Sequence, residues 1–301
     1  MYIVTGSTSN TGSVVAHQLL DAGKQVRVIG RSLEKLSPFT DRGAEAFVAG
    51  PTDAEALIEA FQGAKAAWIM LQPNYIPDSA DFSGYQAQVT DAIAQAITAN
   101  PLAYAVTLSS WGADRESGSG PVLGLHHMEQ VMNTLPIENL LHLRAGYFME
   151  NTLSYLPSIL KNGKISGPFD QDMQLPFIAT KDIGHAAAEA LIRLTFKGKQ
   201  VQELHGQRDL NIREATAMIG NAIGKPGLVY EQNTILEFKS GLMAAGFSAN
   251  VIALMEEVVI GMNSKHITTS QIRTAASTTS TSFENFLEAS FVPAYNKMQY
   301  K

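Results

Sequence analysis

The chain has 301 residues, 45% of them hydrophobic, and a formal net charge of −6 at pH 7. A chain of this length and composition can bury one large core, or one core with a smaller lobe. It contains no cysteine, which excludes disulfides, thiolate catalysis and cysteine-ligated metal sites. Its positive and negative charges are interspersed and form no basic stripe, so we expect no direct contact with nucleic acid.

The N-terminal segment predicts a dinucleotide-binding turn. A short apolar run, Tyr2-Ile3-Val4, leads into the turn from Thr5 to Gly12 and then into a helical stretch from Ser13 to Leu20. In a strand, turn and helix of this kind, the backbone N–H groups and the helix dipole favour a pyrophosphate. An ordinary surface turn collects the same residue types. The residues of this turn that we expect to contact the cofactor are Gly6, Thr8, Ser9, Asn10, Thr11 and Gly12.

One residue of this turn departs from the usual pattern. Ser9 stands where a Gly-x-x-Gly-x-x-Gly turn has its middle glycine. A serine at that position can either push the cofactor back slightly or require a positive φ.

The end of the second predicted strand distinguishes between the two nicotinamide dinucleotides. The apolar run 26–29 ends at Gly30-Arg31-Ser32, where the adenosine ribose binds in this class of fold. An acidic residue here would accept from the ribose 2′-OH of NAD, whereas Arg31 suits a 2′-phosphate, with Ser32 beside it and Lys35 nearby. We therefore expect NADP(H); the alternative is an ordinary solvated arginine.

Short apolar runs alternate with helical patterns as far as Gly146, which predicts a doubly wound parallel sheet of six strands. After the first two strands, the pattern predicts strands at 46–49, 66–71, 104–108 and 139–143, and helices at about 53–61, 83–99 and 122–135. Beyond Gly146, prolines and glycines separate shorter elements, which predicts a smaller mixed α/β substrate lobe.

This pattern divides the chain into two domains. We assign 1–146 to a dinucleotide-binding domain, with 182–204 packing back on it, and 147–181 and 205–301 to the substrate lobe. A long amphipathic helix is predicted at 182–194, and the tail from Glu214 onward is mostly helical. No charged leader precedes an apolar segment, and the apolar stretch 251–262 is interrupted by two glutamates. We therefore expect a cytoplasmic protein that does not span a membrane.

Ligands of open parallel sheets collect at the carboxyl ends of the strands. At the end of the fourth strand we expect Leu71, Gln72 and Pro73 to contact the cofactor. At the end of the fifth, Ser109 and Ser110 can meet the nicotinamide or a substrate carbonyl, or form a turn that caps the strand.

Aromatic residues follow the fifth and sixth strands. Trp111 can stack on a flat substrate or cover the core, and the same two interpretations hold for Tyr147 and Phe148. We assign these three residues to the substrate site, together with Asn151.

The chain lacks the usual proton donor of short-chain reductases. None of its nine tyrosines is followed by a lysine four residues on. The helix at 122–135 instead carries His126 and Glu129 on one face, so the carboxylate could orient and charge the imidazole as a substitute acid. The alternatives are a partly exposed ion pair and a histidine hydrogen-bonded in a crevice. We name His126 and Ser110 as candidate catalytic residues. The adjacent His126 and His127 point in different directions, so we expect no metal site.

Several motifs together resemble those of one family. They lie in the glycine turn, at strand ends and on the helix at 122–135, and they read Thr5-Gly6-x-Thr8-x-Asn10-Thr11-Gly12, Gly30-Arg31-Ser32, Leu108-Ser109-Ser110-x-Gly112-Ala113, Glu129 and Leu143-Arg144-x-Gly146-x-Phe148-Met149-Glu150-Asn151. In this combination the chain resembles the NmrA-like proteins, which are atypical short-chain dehydrogenases. The resemblance continues through Asp182-Ile183-Gly184, Glu203-Leu204-His205-Gly206 and the stretch from Arg273 to Tyr295.

The resemblance implies a Rossmann domain, NADP(H) binding, and one of two functions. The first is reduction of a quinone- or enone-type small molecule; the second is a non-catalytic NADP(H) sensor that acts through a protein partner. We favour the reductase, and the many polar strand ends disfavour a purely structural module. Ser9 and the pair Gly50-Pro51, where the family has Gly-Asp, depart from the family pattern and can weaken cofactor affinity. Whether the protein forms a homodimer or binds another protein stays open.

Overall fold

A parallel sheet of seven strands forms the centre of the protein. The computed structural model describes residues 1–71 and 77–299. The strands are β1 (Tyr2–Val4), β2 (Val26–Gly30), β3 (Glu45–Val48), β4 (Ala66–Met70), β5 (Leu102–Ser110), β6 (Ile137–Ala145) and, from later in the chain, β10 (Lys199–Leu204). Their spatial order is β10-β6-β5-β4-β1-β2-β3. The order reverses between β1 and β4, so the crevice for a ligand opens at the carboxyl ends of these two strands. The predicted doubly wound fold is confirmed.

Helices cover both faces of this sheet. They are α1 (Asn10–Asp21), α2 (Leu33–Thr40), α3 (Ala54–Ala60), α4 (Phe82–Ala99), α5 (Leu123–Thr134) and α7 (Thr180–Arg193). One apolar core joins the sheet to α1, α2 and α7, and a second joins it to α3, α4 and α5. On α5, Met128 and Met132 are fully buried in the second core, with Leu125 and Leu135 packed against it, as the helical spacing predicts.

Two elements of this domain differ from the sequence prediction. Helix α2 contains Pro38, which disfavours a helix interior, and the pattern did not predict it. Strand β10 is a sheet edge whose first three residues are exposed, so it lacks the apolar run of a central strand. The sheet therefore has seven strands where six were predicted.

The remaining elements form a smaller mixed α/β lobe. Its strands are β7 (Tyr147–Phe148), β8 (Ile165–Gly167), β9 (Gln174–Ile178), β11 (Asp209–Asn211) and β12 (Tyr230–Gln232). Strand β9 pairs with β11 antiparallel and with β7 parallel, while β8 pairs with β12. The helices are α6 (Leu156–Asn162), α8 (Ile212–Ala222), α9 (Ile235–Ala244), α10 (Ala249–Asn263), α11 (Phe283–Phe286) and α12 (Val292–Gln299). A third apolar core holds the lobe together. The division of the chain into two domains stays a prediction.

Within the described ranges 1–71 and 77–299, no helix combines the length and the apolar character needed to cross a membrane.

Candidate functional site

The turn between β1 and α1 is closed too tightly to admit side chains at its two glycines. Gly6 has a φ of +59°, and a Cβ there would lie 2.5 Å from the Met70 sulfur at the end of β4. A Cβ on Gly12 would lie 2.2 Å from the carbonyl oxygen of Gly6. The start of α1 is therefore pressed against the turn at the carboxyl end of β1, beside the end of β4. This geometry fits a pyrophosphate.

Ser9 is the N-cap of α1. Its φ is −80°, and its hydroxyl oxygen accepts a hydrogen bond from the Gly12 N–H at 3.0 Å. The expectation that Ser9 requires a positive φ is therefore wrong, because serine in extended conformation is a preferred N-cap. It stays a prediction that the Ser9 side chain pushes the cofactor slightly away from the turn.

The other predicted residues of the turn differ in exposure. Thr8 and Asn10 are exposed, so their side chains are accessible to a ligand. Thr11 is buried and its hydroxyl lies 3.8 Å from the Met70 sulfur, so it faces the interior.

Arg31 lies at the end of β2, exposed to solvent, with exposed Lys35 one turn into α2. Ser32 is the N-cap of α2, and its side chain makes no capping bond. Burial raises the pKa of the Tyr85 phenol on α4, and the positive charge of Arg31 opposes this rise. Exposed Arg31 and Lys35 are accessible to an anionic ligand at the end of β2.

At the end of β4, the Leu71 side chain is 7% exposed and belongs to the core beneath α3 and α4. Only the backbone of Leu71 can contact a cofactor. Gln72 and Pro73 lie outside the described residues.

A buried ion pair lies where β5 and β6 end. Arg144 donates from Nε and Nη2 to the two carboxylate oxygens of Glu129 on α5, at 2.9 and 2.6 Å. The Ser109 hydroxyl donates to the same carboxylate at 2.5 Å. Burial alone would lower the pKa of the Arg144 guanidinium, but the bonds and charge of Glu129 raise it. Arg144 therefore keeps its charge.

This pair corrects two expectations. Glu129 is the partner of Arg144 and not of His126, because a charged fork engages both of its oxygens. The Ser109 hydroxyl is likewise engaged and faces α5, so it is not available to a nicotinamide. Since neighbouring strand residues point to opposite faces, half-buried Ser110 faces away from this pair.

His126 is half-buried beside the turn that follows β5. Its Nδ1 lies 2.9 Å from the carbonyl oxygen of Ala113. A carbonyl only accepts, so Nδ1 carries the hydrogen and Nε2 is the nitrogen left for other partners. The structure shows a hydrogen-bonded histidine, as one of the alternatives expects, and the role of His126 as an acid stays a prediction.

The predicted substrate residues divide between two environments. Tyr147 packs in the lobe, with its ring 5.1 Å from Phe177 and 6.1 Å from Phe169. Trp111 is 8% exposed in the same lobe core, which fits its role as a cover. Phe148 packs instead against the core beneath α1 and α7, and Asn151 is exposed.

Sequence reasoning assigned no role to Glu203, at the end of β10. It lies opposite Arg144 in the sheet register, and it is 1% exposed. Its carboxylate accepts from the N–H groups of Ser270 and Gln271 at 2.8 and 3.0 Å and from the His205 ring at 3.2 Å. Burial alone would raise the pKa of Glu203, but these bonds outweigh it and lower the pKa to about 2. The carboxylate thereby holds the irregular stretch 264–282 against β10 at the edge of the sheet.

The low pKa of Glu203 predicts a specific acid sensitivity. The pKa of Glu203 falls from 4.5 to about 2 on folding. Its ionised carboxylate therefore stabilises the folded protein fully above pH 4.5, and this stabilisation is lost as the pH falls to 2. This loss amounts to about 3 kcal/mol. Urea unfolding at pH 5 and pH 2 should therefore show a smaller loss of stability in Glu203→Gln than in the unmodified protein.

The control is Glu45→Gln. Glu45 also lies on a strand and pairs with Arg27, but its side chain is 48% exposed. We expect this variant to keep the full acid sensitivity. Equal sensitivity in the Glu203 variant would contradict the assignment.

Comparisons with known proteins agree with this architecture. A family model described as the NmrA-like family matches residues 2–287. A reductase of Streptomyces griseus subsp. griseus, named (4-alkanoyl-5-oxo-2,5-dihydrofuran-3-yl)methyl phosphate reductase, is 26% identical over 245 residues, which are 81% of each chain.

Two solved structures share the fold. An NADPH-dependent quinone oxidoreductase from Escherichia coli, complexed with NADPH, superposes with a TM-score of 0.76 at 21% identity, over 97% of this chain and all of the other. The triphenylmethane reductase of Citrobacter sp., complexed with NADP(H), superposes with a TM-score of 0.78 at 19% identity, over 96% and 100% of the two chains.

Proposed function

The chain belongs to the NmrA-like family, and from this premise we propose that it is an NADPH-dependent oxidoreductase that reduces a flat, quinone- or enone-like small molecule. The observation that carries the proposal is the glycine turn, in which a Cβ on Gly12 would lie 2.2 Å from the Gly6 oxygen. The turn is the close backbone approach that a pyrophosphate requires. The names of the similar reductases support the same chemistry.

Each part of the cofactor has candidate partners in this chain. The N–H groups at the start of α1 would hold the pyrophosphate, and Arg31, Ser32 and Lys35 would hold the 2′-phosphate. When bound, NADPH supplies a hydride. Ser110 and Tyr147, which flank the ends of β5 and β6, would orient the substrate.

The acid chemistry of the site favours quinones over simple ketones. Quinone reduction gives a stabilised anion, so it needs little beyond positioning, whereas a ketone needs a proton in the transition state. His126 is the proposed donor. Its Nδ1–H is held by the Ala113 carbonyl, so donation from Nε2 requires the imidazolium form. Glu129 contacts Arg144 and not this imidazole, so α5 offers His126 no carboxylate partner, and we expect weak ketone turnover.

The test is NADPH oxidation with a panel of quinones, enones and ketones. If NADPH and a quinone react faster with the protein present than without it, the result supports the reductase and rejects a pure sensor. Tight NADPH binding with no oxidation across the panel would reject the reductase in favour of a sensor. The homodimer or protein partner and the cytoplasmic location stay predictions from the sequence.

Arg31 should set the preference for NADPH over NADH. A charge-assisted bond to the 2′-phosphate contributes about 1.5–3 kcal/mol, so Arg31→Ala should weaken NADPH binding by about 10- to 150-fold and leave NADH binding nearly unchanged. Calorimetric titration with both nucleotides measures the difference.

The matched control for Arg31→Ala is Arg193→Ala. Arg193 is also largely exposed, at the end of α7, and pairs with Glu189 within that helix. This variant should keep the nucleotide preference. Equal affinity of the unmodified protein for NADPH and NADH would refute the role of Arg31.

A further inference from the structure

The loop that follows β5 contacts both candidate catalytic residues. We call residues 111–119 the β5 loop; it begins at Trp111, directly after Ser110. The Ala113 N–H donates to the Ser110 carbonyl at 3.1 Å. The Ala113 carbonyl accepts from the His126 ring at 2.9 Å. A shift of the β5 loop would therefore displace the partners of both residues.

The β5 loop packs on the residues that follow α10. Gly112 has a φ of +80°, and a Cβ there would lie 2.8 Å from Cγ2 of Ile267. Ile267 is 3% exposed and belongs to the same apolar core as Trp111. Nε2 of His266 lies 2.8 Å from the Ser117 carbonyl oxygen. The β5 loop and the chain after α10 are therefore in contact at two points.

Both contacts come from the irregular stretch 264–282, which Glu203 holds against β10. The Ser270 N–H and hydroxyl donate to the Glu203 carboxylate at 2.8 and 2.7 Å. The Gln271 N–H donates to it at 3.0 Å. Ser270 comes only three residues after Ile267, and three residues span at most about 10 Å. The position of Ser270 therefore limits the position of Ile267.

The turn between α10 and Ile267 contains a strained residue. Lys265 has a φ of +61°, which costs free energy in a residue other than glycine. Such a conformation persists when the surrounding structure determines it. On one side the Ile267 N–H donates to the Gly261 carbonyl of α10 at 2.9 Å, and on the other Glu203 holds the stretch. We therefore expect this turn to relax when the attachment to Glu203 is lost.

We propose that Glu203 is a positioning residue for the substrate site: it holds Ile267 against Gly112 and thereby keeps the β5 loop in contact with Ser110 and His126. The inference rests on the proposed function, in which Ser110 orients the substrate and His126 donates a proton. Glu203 acts on the substrate side of the site, because the cofactor turn lies at the end of β1.

Steady-state kinetics distinguish a positioning residue from one that only stabilises the fold. Partial unfolding reduces the amount of active protein, which lowers the apparent kcat and leaves KM unchanged. In Glu203→Gln an amide nitrogen replaces one acceptor oxygen, so the N–H of Ser270 or of Gln271 loses its partner. We expect the KM for a quinone to rise by about tenfold, with the affinity for NADPH unchanged. An unchanged KM would overturn the proposal.

Asp182→Asn is the matched control. Asp182 is 5% exposed, and its carboxylate accepts from the N–H and the hydroxyl of Thr281 at 3.0 and 2.7 Å. It therefore holds the far end of the same stretch with the same kinds of bond. This variant should lose stability but keep the KM of the unmodified protein. An equal rise of KM in the Asp182 and Glu203 variants would overturn the proposal, because general loosening of the stretch would then explain both.

Quenching of tryptophan fluorescence by acrylamide tests the position of the β5 loop without turnover. The chain has two tryptophans; Trp68 is 0% exposed in the central sheet, and Trp111 is 8% exposed at the start of the loop. Glu203→Gln should expose Trp111 and raise the quenching constant by about twofold, whereas Asp182→Asn should not. If no quinone is turned over, the reductase proposal fails. Equal quenching in all three proteins would still overturn the role of Glu203.

Ser270→Ala is the milder variant should Glu203→Gln fail to fold. It removes only the exposed residue's hydroxyl, which donates to Glu203 at 2.7 Å, and it keeps the backbone N–H. The KM for a quinone and the quenching constant should then rise in the same direction but less, by about one and a half- to threefold. No change in either quantity would overturn the proposal.

Discussion

Gly12→Ala is expected to abolish NADPH binding. The added Cβ would lie 2.2 Å from the Gly6 oxygen and 2.8 Å from its carbonyl carbon, so backbone must move. Movement here displaces the N–H groups that would hold the pyrophosphate, which should weaken affinity by about a hundredfold or more, or about 3 kcal/mol. Titration calorimetry measures the loss, and far-ultraviolet circular dichroism shows whether the fold persists.

Gly227→Ala is the control for this change. Its Cβ would meet no atom within 4 Å, and its φ is not positive. This variant should bind NADPH as the unmodified protein does. A folded Gly12→Ala protein with unchanged affinity would show that the turn is not the phosphate site, and the proposed function would lose its main support.

Glu129→Gln is expected to destabilise the protein strongly. The substitution leaves the Arg144 guanidinium, 12% exposed, without the carboxylate that its two donors contact. Removing one partner of a buried pair costs about 3–5 kcal/mol, because the other charge stays buried and uncompensated. Urea unfolding at neutral pH measures the change in the free energy of unfolding.

Two further variants show whether this loss comes from burial. Glu189→Gln removes a partner of Arg193 in a pair whose side chains are 60% and 68% exposed, and it should cost about 0.5 kcal/mol or less. Glu129→Leu combined with Arg144→Met replaces both charges by apolar groups and should recover most of the stability. If Glu129→Gln and Glu189→Gln lower the free energy of unfolding by the same amount, burial adds nothing to the contribution of the Glu129–Arg144 pair to stability.

The sequence predicted the central strands and the glycine turn because their signals are local. Strands β1 to β6 are covered by helices, and most appear as short apolar runs. The turn before α1 is recognised from neighbouring residues, since Gly6 and Gly12 meet within one strand, turn and helix. Arg31 follows directly from the end of β2. The pattern therefore indicated the fold class and the family before any contact was known.

The partners of the polar side chains depended on the tertiary structure. Glu129 is three residues from His126 but pairs with Arg144, because β5 and β6 bring Ser109 and Arg144 side by side beneath α5. Glu203 reaches Ser270 across 67 residues, and no local spacing predicts that contact.

Strand β10 and helix α9 show the same division between local and long-range information. The first residues of β10 are exposed at the sheet edge, so its pairing with β6 was not readable as an apolar run. The residues of α9 indicate a helix, but only the tertiary structure shows that it packs on α10 and buries none of its residues. The sequence by itself thus predicted six of the seven central strands and the glycine turn. The tertiary structure decided which charges are paired and which apolar side chains are buried, because both depend on groups that meet only when the sheet and lobe are assembled.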